Sequence, residues 1–234
     1  MSFEALKEEC REANVALPMT GLVDLTFGNV SVLDVEAGVF AIKPSGVDYD
    51  ELTPGDMVVV DLDGKVVEGK LKPSSDTPTH RCLFRAFGAA GVRSIVHTHS
   101  RCAVAFAQAG REIPCLGTTH ADHFHGAVPV TRAMTAEEIQ GDYEWQTGRV
   151  IVERFAETAP LDIPAVLVRG HGPFAWNVSG AEAVEYAHAL EISADMAMKT
   201  LSLAADAALL DRALLDKHFL RKHGKDAYYG QSPS

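Results

Sequence analysis

Apolar side chains recur at helical spacing along several stretches of the chain, and these stretches predict its helices. In the first 17 residues the apolar positions are Phe3, Leu6, Cys10, Ala13 and Leu17. Ser2 is suited to cap the start of this helix and Pro18 to end it. Further helices are predicted over residues 77–90, 100–110, 135–157, 180–209 and 211–223. Thr135 and Glu138 stand at the positions of a capping box.

Strands are predicted where β-branched and apolar residues run together between breaks at Gly, Pro and Asp. These runs cover residues 22–34, 38–52, 56–69, 94–99 and 164–170. Asp63-Gly64 between two valine-rich runs predicts a β-hairpin, and residues 115–132 are expected to be irregular or strand-like. Because helices and strands interleave without a linker or repeat, we expect one α/β domain over residues 1–234 with a mixed or antiparallel sheet.

The composition argues against a nucleic-acid-binding protein and against a membrane-spanning protein. The chain has 234 residues and a net charge of −11 without a block of Lys and Arg, so binding to nucleic acid is not expected. No long uncharged apolar run predicts a membrane span, and the N-terminus lacks the pattern of a signal peptide. The four cysteines form no CxxC pair and are expected to be reduced thiols in a cytoplasmic protein.

Histidines at two strand ends form the main candidate site. His97 and His99 end the predicted strand 94–99, and alternate residues of a strand face the same side. His171, flanked by two glycines, follows the apolar run AVLV. Three neutral imidazoles with an open position suit Zn²⁺ acting as a Lewis acid, and Mn²⁺ or Co²⁺ could bind similar donors. The alternative is that these histidines only pack in the core or face solvent.

Three loops carry groups suited to bind an anion. In the segment KPSSDTPTH, Ser74 and Ser75 offer hydroxyls and backbone N–H groups where a helix begins, and Asp76 could serve as a carboxylate ligand. The loops at residues 28–29 and 43–46 follow strand-like runs and supply donors suited to a phosphate. The alternative for each segment is an ordinary helix cap or turn.

Seven motifs in chain order carry a family resemblance. They are FGNVS, IKPSGVDYDEL, KPSSDTPTH, IVHTHS, GTTHADHF, RGHGPF and LLDKHFLRKHGKDAYYGQ, from Phe27 to Gln231. The chain resembles the class II aldolase/epimerase family over nearly its whole length, and the C-terminal motif and the Asp of SSDTPTH resemble its epimerases most. The resemblance implies a single three-layer α/β/α domain with a mostly antiparallel central sheet. It also implies a C4-symmetric homotetramer with active sites between adjacent subunits.

The resemblance also implies roles for individual residues. The ligands of a divalent metal, Zn²⁺ in the first place, would be His97, His99, His171 and Asp76. Contacts to the substrate and its phosphate would come from Gly28, Asn29, Lys43, Ser45, Gly46, Ser74 and Ser75. Asp122 and Tyr229 would be the acid/base pair, with Tyr229 and His218 supplied by a neighbouring subunit.

The implied reaction is inversion at C4 of a phosphorylated ketopentose. That carbon bears a hydroxyl and an unactivated hydrogen, so simple proton abstraction does not invert it, and no GxGxxG motif points to a nicotinamide that could oxidise it. A metal-assisted retro-aldol and aldol sequence avoids both problems. It needs one acid/base group on each face of the fragment. The residues do not distinguish arabinose catabolism from ascorbate catabolism.

Two other functions remain open at this point. A class II sugar-phosphate aldolase of the fuculose-phosphate type would share the fold and the metal, but it is expected to carry Glu where this chain has Asp76. A non-catalytic scaffold on the same fold is expected to lose metal ligands, whereas all three histidines are present here.

Three positions depart from the family pattern. Phe27 stands where Trp is expected, and the segment after Asp122 is His123-Phe124-His125, where aromatic residues such as Tyr are more usual. We expect both changes to alter packing only. Arg169-Gly170 precedes His171 where His-Ser is expected. Because Arg169 adjoins a proposed ligand, a change in substrate preference is expected from it.

Overall fold

Across residues 2–225 and 227–228, which the computed structural model describes, the chain forms eight α-helices and seven β-strands. The helices are α1 (Glu4–Met19), α2 (Thr77–Phe87), α3 (Arg101–Ala109), α4 (Thr118–Ala121), α5 (Ala136–Gln140), α6 (Tyr143–Arg154), α7 (Gly180–Leu203) and α8 (Arg212–His223). The strands are β1 (Asn29–Asp34), β2 (Val39–Ile42), β3 (Val58–Asp61), β4 (Val66–Glu68), β5 (Ser94–His97), β6 (Ala165–Leu167) and β7 (Pro173–Asn177). None of these helices has the length and apolar character that a membrane span requires.

The seven strands form one antiparallel sheet in the order β4-β3-β2-β1-β5-β7-β6. β1 to β4 follow one another as neighbours, so this half of the sheet consists of sequential hairpins. β5 pairs with the other side of β1, and β7 pairs with β5. In that register Asn29 lies opposite His97, and His97 lies opposite Phe174. The three residues therefore share one end of the sheet, where the candidate site forms.

Helices cover both faces of the sheet, so the expected three-layer α/β architecture with an antiparallel sheet is confirmed. α1, α3 and α7 cover one face, where Leu17 and Phe106 join the apolar residues of the sheet. α2 and α6 cover the other face, where Phe84 and Ile151 are buried against the strands. Burying a side chain of this size stabilises the fold by roughly 1.5–3 kcal/mol.

The N-terminal helix differs from its prediction at both ends. The residue that precedes it is Phe3 rather than Ser2, and no side-chain cap bond forms there. The helix also runs to Met19, one residue past Pro18. A proline this close to the C-terminus removes a single intrahelical hydrogen bond, which the last turn tolerates.

Two other predicted helices are shorter in the structure. Residues 135–157 form α5 and α6 because the backbone of Gly141 between them is not helical, while the predicted capping box of Thr135 and Glu138 is confirmed at the start of α5. The Ala-rich helix ends at Leu203 instead of continuing to residue 209. Leu203 is 90% exposed, so an extension would bury little apolar surface, and propensity alone supports short helical segments poorly.

The hydrophobic pattern does not predict β7 or α4. β7 follows a glycine-containing turn, and its short apolar sequence has no alternation, yet it pairs with both β5 and β6. α4 is a single helical turn inside residues 115–132, where irregular or strand-like structure is expected. Both elements depend on tertiary packing: Phe174 and Trp176 of β7 are fully buried, and Ala121 of α4 is fully buried too.

A buried asparagine ties α1 to β1. The Nδ2 of Asn14 donates to the backbone oxygens of Cys10 at 2.8 Å and Val30 at 2.9 Å. Its Oδ1 accepts a hydrogen bond from the backbone N–H of Val30 at 2.8 Å. This one side chain thus satisfies both backbone groups of the residue next to Asn29 and fixes the start of β1 against the helix.

We expect Asn14→Ala to lower the free energy of unfolding by about 2–4 kcal/mol, because it leaves the buried N–H of Val30 without its partner and its carbonyl oxygen with only the weak thiol donor of Cys10. Chemical denaturation at fixed protein concentration measures the change. Glu12→Ala, an exposed change in the same helix, should alter stability by less than about 0.5 kcal/mol. A loss below about 1 kcal/mol for Asn14→Ala would contradict the role given to this side chain.

Candidate active site

Three histidines converge where β5 meets the turn between β6 and β7. His97 is the last residue of β5, His99 follows two residues later, and His171 lies in the turn before β7. The Nε2 atoms of His97 and His99 are 3.2 Å apart. One ring nitrogen from each of the three residues lies within 4.8 Å of the others. The structure thus brings the three side chains into one cluster that could hold a metal ion.

Contacts around His97 determine which of its nitrogens faces the cluster. Its Nδ1 donates to the carbonyl oxygen of Pro173 at 2.9 Å, so the lone pair is on Nε2. Phe174 stacks on the same ring with 4.3 Å between centroids and holds its plane. Two nitrogens bound to one ion such as Zn²⁺ in tetrahedral geometry are about 3.3 Å apart, which is close to the 3.2 Å between His97 and His99. The donor set therefore fits a divalent metal.

Burial keeps the buried members of the cluster neutral. It lowers the pKa of His97, and together with repulsion from His97 and His99 it lowers the pKa of His171 to about 4. At neutral pH both imidazoles therefore offer a lone pair to a cation. The Oη of Tyr143, at the start of α6, lies 3.4 Å from Nδ1 of His171. That contact leaves Nε2 of His171 for the cluster.

A carboxylate stands beside the histidines. Asp76 immediately precedes α2, and its Oδ2 accepts a hydrogen bond from Asn29 Nδ2 at 2.7 Å. Burial raises the pKa of this carboxyl group, but nearby His97 and His80 and the bond from Asn29 outweigh burial, and the net pKa is lowered. The group is therefore ionised at neutral pH and can join the imidazoles around a cation. Asn29 also donates to Ser74 Oγ at 3.1 Å, which links the carboxylate to the serine loop.

Two glycines let the backbone close around the cluster. Gly28 has φ +90°, and a Cβ there would lie 2.8 Å from the carbonyl oxygen of His97. A Cβ on Gly172 would lie 2.9 Å from the carbonyl oxygen of Thr98 and 3.5 Å from the ring of His99. Any larger residue at either position would push the neighbouring backbone out of place.

The histidines open into a polar cavity of about 360 Å³. Its lining contains the predicted metal-site residues His97, His99, His171 and Asp76, the predicted contact residues Gly28, Asn29, Lys43, Ser45, Gly46, Ser74 and Ser75, and also Thr26, Phe27 and Pro44. The loops that were separate motifs in the sequence lie side by side: the N–H of Ser45 donates to Lys72 O at 2.9 Å, and the N–H of Ser74 donates to Lys43 O at 3.0 Å.

The ammonium group of Lys43 is engaged by its own loop. The residue is 2% exposed, and its Nζ donates to the carbonyl oxygen of Val47 at 2.5 Å. The same Nζ lies 4.6 Å from the centroid of the Tyr49 ring. Burial lowers the pKa of Lys43. To contact a bound anion directly, the ammonium would have to exchange the carbonyl of Val47 for that ligand.

Asp122 and His218 are not among the described residues that line the histidine cavity. Asp122 directly follows α4, and His218 on α8 donates from Nδ1 to its Oδ1 at 3.0 Å. Asp122 borders a different cavity together with Asn177, the last residue of β7. Asn177 lies three residues beyond Phe174, about 10 Å farther along the strand from the histidine cluster. Tyr229 lies outside the described residues.

His218 and Asp122 therefore belong to one cluster within one chain. The resemblance implies instead that Asp122 stays with its own metal site while His218 and Tyr229 come from a neighbouring subunit. The difference arises because α8 packs on α4, as shown by the bonds that His218 and Arg221 make to Asp122.

At two of the three positions that depart from the family pattern, the side chain stacks on another ring. Phe27 stacks on His99 with 5.6 Å between ring centroids and an interplanar angle of 28°. His125 stacks on Phe219 of α8 at 4.5 Å and 13°. Each ring therefore packs against a histidine or an aromatic partner in the way that a larger aromatic side chain would.

The third departure, Arg169, turns away from the cavity. Its guanidinium lies over Gly110 at the end of α3, where a Cβ would be only 2.9 Å from Cζ of the arginine. Arg169 is not among the described residues that line the cavity of His171. The structure thus shows no direct route by which this side chain would affect substrate preference.

Sequence reasoning missed Tyr143 and His80 at this site. Tyr143 belongs to a helix distant in sequence, and no local pattern marks it. His80 lies four residues after Asp76 on α2, is fully buried, and pairs through Nδ1 with Ser31 Oγ at 2.6 Å. Burial lowers its pKa to about 3, so it is a neutral neighbour of the carboxylate. Its spacing from Asp76 is a signal that could have found it.

A family model and the most similar curated proteins point to the same family. The model of the class II aldolase and adducin N-terminal domain matches residues 8–198. L-Ribulose-5-phosphate 4-epimerase UlaF of Salmonella paratyphi A is 50% identical over 229 residues, which cover 98% of this chain and 100% of the relative. The protein of the same name from Salmonella typhi matches to the same extent.

Solved structures agree on the fold. An L-fuculose 1-phosphate aldolase superposes with a TM-score of 0.77 at 25% identity, covering 93% of this chain and 96% of that protein. L-Fuculose-1-phosphate aldolase of Thermus thermophilus gives a TM-score of 0.67 at 28% identity, covering 86% and 97%. Since the family model spans most of the chain and relatives share half of its residues over nearly their full length, the chain belongs to the class II aldolase and adducin family.

Proposed function

We propose that the chain is a 4-epimerase that interconverts L-ribulose 5-phosphate and D-xylulose 5-phosphate. The observation that carries the proposal is the single cavity in which three imidazoles and a carboxylate stand beside loops of hydroxyl and N–H donors. Such a cavity suits a substrate that presents carbonyl and hydroxyl oxygens to a metal and also carries a phosphate. The relatives named L-ribulose-5-phosphate 4-epimerase, at 50% identity, support this choice of substrate.

In the proposed reaction the C3–C4 bond breaks and re-forms. The C4 hydroxyl loses its proton as the bond breaks, which gives a three-carbon fragment and glycolaldehyde phosphate. The aldehyde turns over while its phosphate stays bound, and the bond re-forms on the opposite face. Each face needs its own proton-transfer group within hydrogen-bond reach.

The metal would be held by His97, His99, His171 and Asp76. We propose Zn²⁺, with Mn²⁺ and Co²⁺ as the alternatives that similar donors accept. When bound, the ion supplies Lewis acidity that polarises a carbonyl and stabilises negative charge developing on the three-carbon fragment. Asn29 contributes by holding the carboxylate of Asp76 through its 2.7 Å hydrogen bond.

The phosphate would bind to the donors of the loops at residues 43–46 and 74–75. Hydroxyls of Ser45, Ser74 and Ser75 line the cavity, and the N–H groups at the start of α2 add partial positive charge there. Gly28 and Asn29 would contact the sugar. With a net charge of −11 on the chain, such local donors are needed to attract an anionic substrate.

Proton transfer on one face would come from another copy of the chain. Asp122 borders the cavity that Asn177 of β7 also lines, and it is not among the described residues that line the histidine cavity of its own chain. A homotetramer with active sites between subunits would bring Asp122 and His218 of one copy to the metal site of the next. Tyr229, carried into the proposal by the sequence resemblance, would serve the other face.

Exposed apolar side chains support such an assembly. At the end of α1 and in the segment leading into β1 they include Met19, Leu25 and Phe27. On α7, α8 and the segment between them they include Met196, Met198, Leu203, Leu209, Leu214 and Leu220. Exposed apolar side chains of this size are suited to be covered by another chain. The four cysteines are free, which supports a reducing, cytoplasmic setting for the enzyme.

A sugar-phosphate aldolase is the second candidate, because the solved structures similar to this chain include L-fuculose 1-phosphate aldolases. The carboxylate favours the epimerase. Asp76 is one methylene shorter than the Glu expected in such aldolases, and it is held by Asn29 close to the imidazoles. That placement suits a ligand better than a mobile acid/base group.

Incubation of the purified protein with L-ribulose 5-phosphate, with and without EDTA, tests the proposed function. We expect D-xylulose 5-phosphate as the main product, formed only while the metal is bound, because charge on the three-carbon fragment must be stabilised. Accumulation of dihydroxyacetone and glycolaldehyde phosphate would identify an aldolase that releases its fragments. A metal-loaded protein without turnover in either direction would favour the scaffold.

We expect His97→Asn to remove most of the bound metal and to lower turnover by at least about 100-fold, because one ligand and the packing of its ring are lost. Elemental analysis gives the metal content, and circular dichroism checks that the fold is kept. His188→Asn, at an exposed position of α7, should keep both metal and turnover. Full activity of His97→Asn without bound metal would contradict the site.

Mixing two inactive variants tests whether the site is shared between copies. We expect His97→Asn and Asp122→Asn to be nearly inactive alone, and a co-expressed equal mixture to recover about a quarter of wild-type turnover. A shared site is active only if one copy supplies an intact His97 and the next supplies an intact Asp122, and random mixing gives this at about one site in four. Each variant should separately retain the oligomer in size-exclusion chromatography. No recovery in mixed oligomers would mean that both residues serve the site of one chain.

A further inference from the structure

Helix α8 contacts Asp122 through several hydrogen bonds. Besides His218, Arg221 approaches the carboxylate of Asp122 with two nitrogens: Nη2 lies 2.9 Å from Oδ2 and 3.0 Å from Oδ1, and Nε lies 3.2 Å from Oδ1. His223 donates from Nε2 to the backbone oxygen of the same residue at 3.0 Å. Polar groups at the C-terminal half of this helix therefore converge on one residue, Asp122.

These contacts are shielded from solvent more than the exposed ion pairs of the chain. The side chains of Arg221 and Asp122 are 23% and 16% exposed, whereas those of Arg101 and Asp24 are 82% and 57% exposed. Partial burial reduces screening by water and salt. A fork-shaped guanidinium also fixes the plane of a carboxylate, which a single ammonium does not.

We propose that Arg221 is a positioning residue for proton transfer by Asp122; the inference rests on the proposed function. Nε and Nη2 of Arg221, with Nδ1 of His218, supply three donors to Oδ1 of Asp122, while Oδ2 receives one. The lone pairs of Asp122 Oδ1 are therefore occupied by donors from Arg221 and His218 of the same chain. Oδ2 keeps acceptor capacity and is the oxygen that would meet the substrate proton.

A purely structural role for Arg221 is the competing interpretation. α8 has only two buried residues, Leu215 and Phe219, so its polar contacts also hold it to the rest of the chain. A structural role would lower stability or assembly without a selective effect on turnover. A positioning role would lower kcat while substrate binding, which depends on the metal and phosphate loops, stays unchanged.

The experiment compares Arg221→Met, Arg221→Lys and Arg212→Met as metal-loaded, assembled proteins. Arg212 is the matched control, because it also pairs with an aspartate of α8, Asp216, with 3.0 Å between Nε and Oδ2. We expect Arg221→Met to lower kcat about 10- to 100-fold with KM within about twofold. Arg221→Lys, which restores the charge without the fork, should recover part of the loss. Arg212→Met should keep kcat within about twofold of wild type.

The outcomes separate this inference from the proposed function. Wild-type protein without epimerase activity contradicts the proposed function itself. Active wild type with equal kcat in Arg221→Met and Arg212→Met overturns the role of Arg221, and so does a rise in KM at unchanged kcat. If Arg221→Met fails to assemble, Arg221→Lys decides: an assembled variant with reduced kcat supports positioning, and one with wild-type kcat overturns it.

Discussion

The register of β1, β5 and β7 is the constraint on which the site depends. It sets Asn29 beside His97 and His97 beside Phe174. The amide that holds the carboxylate of Asp76, an imidazole of the candidate metal site and the ring that stacks on it are therefore neighbours by strand pairing. A slip of one residue would turn His97 to the opposite face of the sheet. The bonds of Asn14 to Val30 secure that register from the helix side.

Burial then determines the charge states. It lowers the pKa of the His97 and His171 side chains, so these imidazoles are neutral at neutral pH. Burial also acts to raise the pKa of Asp76, but its net pKa is lowered, and the hydrogen bond from Asn29 favours the ionised carboxylate. Neutral nitrogens with one carboxylate are the donor set that a divalent metal prefers. The same burial that stabilises the core thus prepares these residues to bind a cation.

The histidine cluster and Asp122 lie in different cavities of one chain. The histidines lie where β7 begins, and Asp122 borders a cavity with the residue that ends it. Within one chain the two clusters therefore line different cavities, and the proposed chemistry would use Asp122 of a second copy. The bonds of α8 to Asp122 would then fix the orientation of the group that each chain offers to its neighbour.

The sequence by itself determined the fold class and most helices, and it predicted eleven of the fourteen described residues that line the histidine cavity, because strand-end histidines, glycines and hydroxyl-rich loops leave local patterns. Helix ends, β7 and α4 were missed, since they depend on what packs against them. Only the tertiary structure decided that the loops meet in one cavity, that Tyr143 and His80 adjoin it, and that Asp122 lies elsewhere. These are distances between residues remote in the chain, and local spacing carries no information about them.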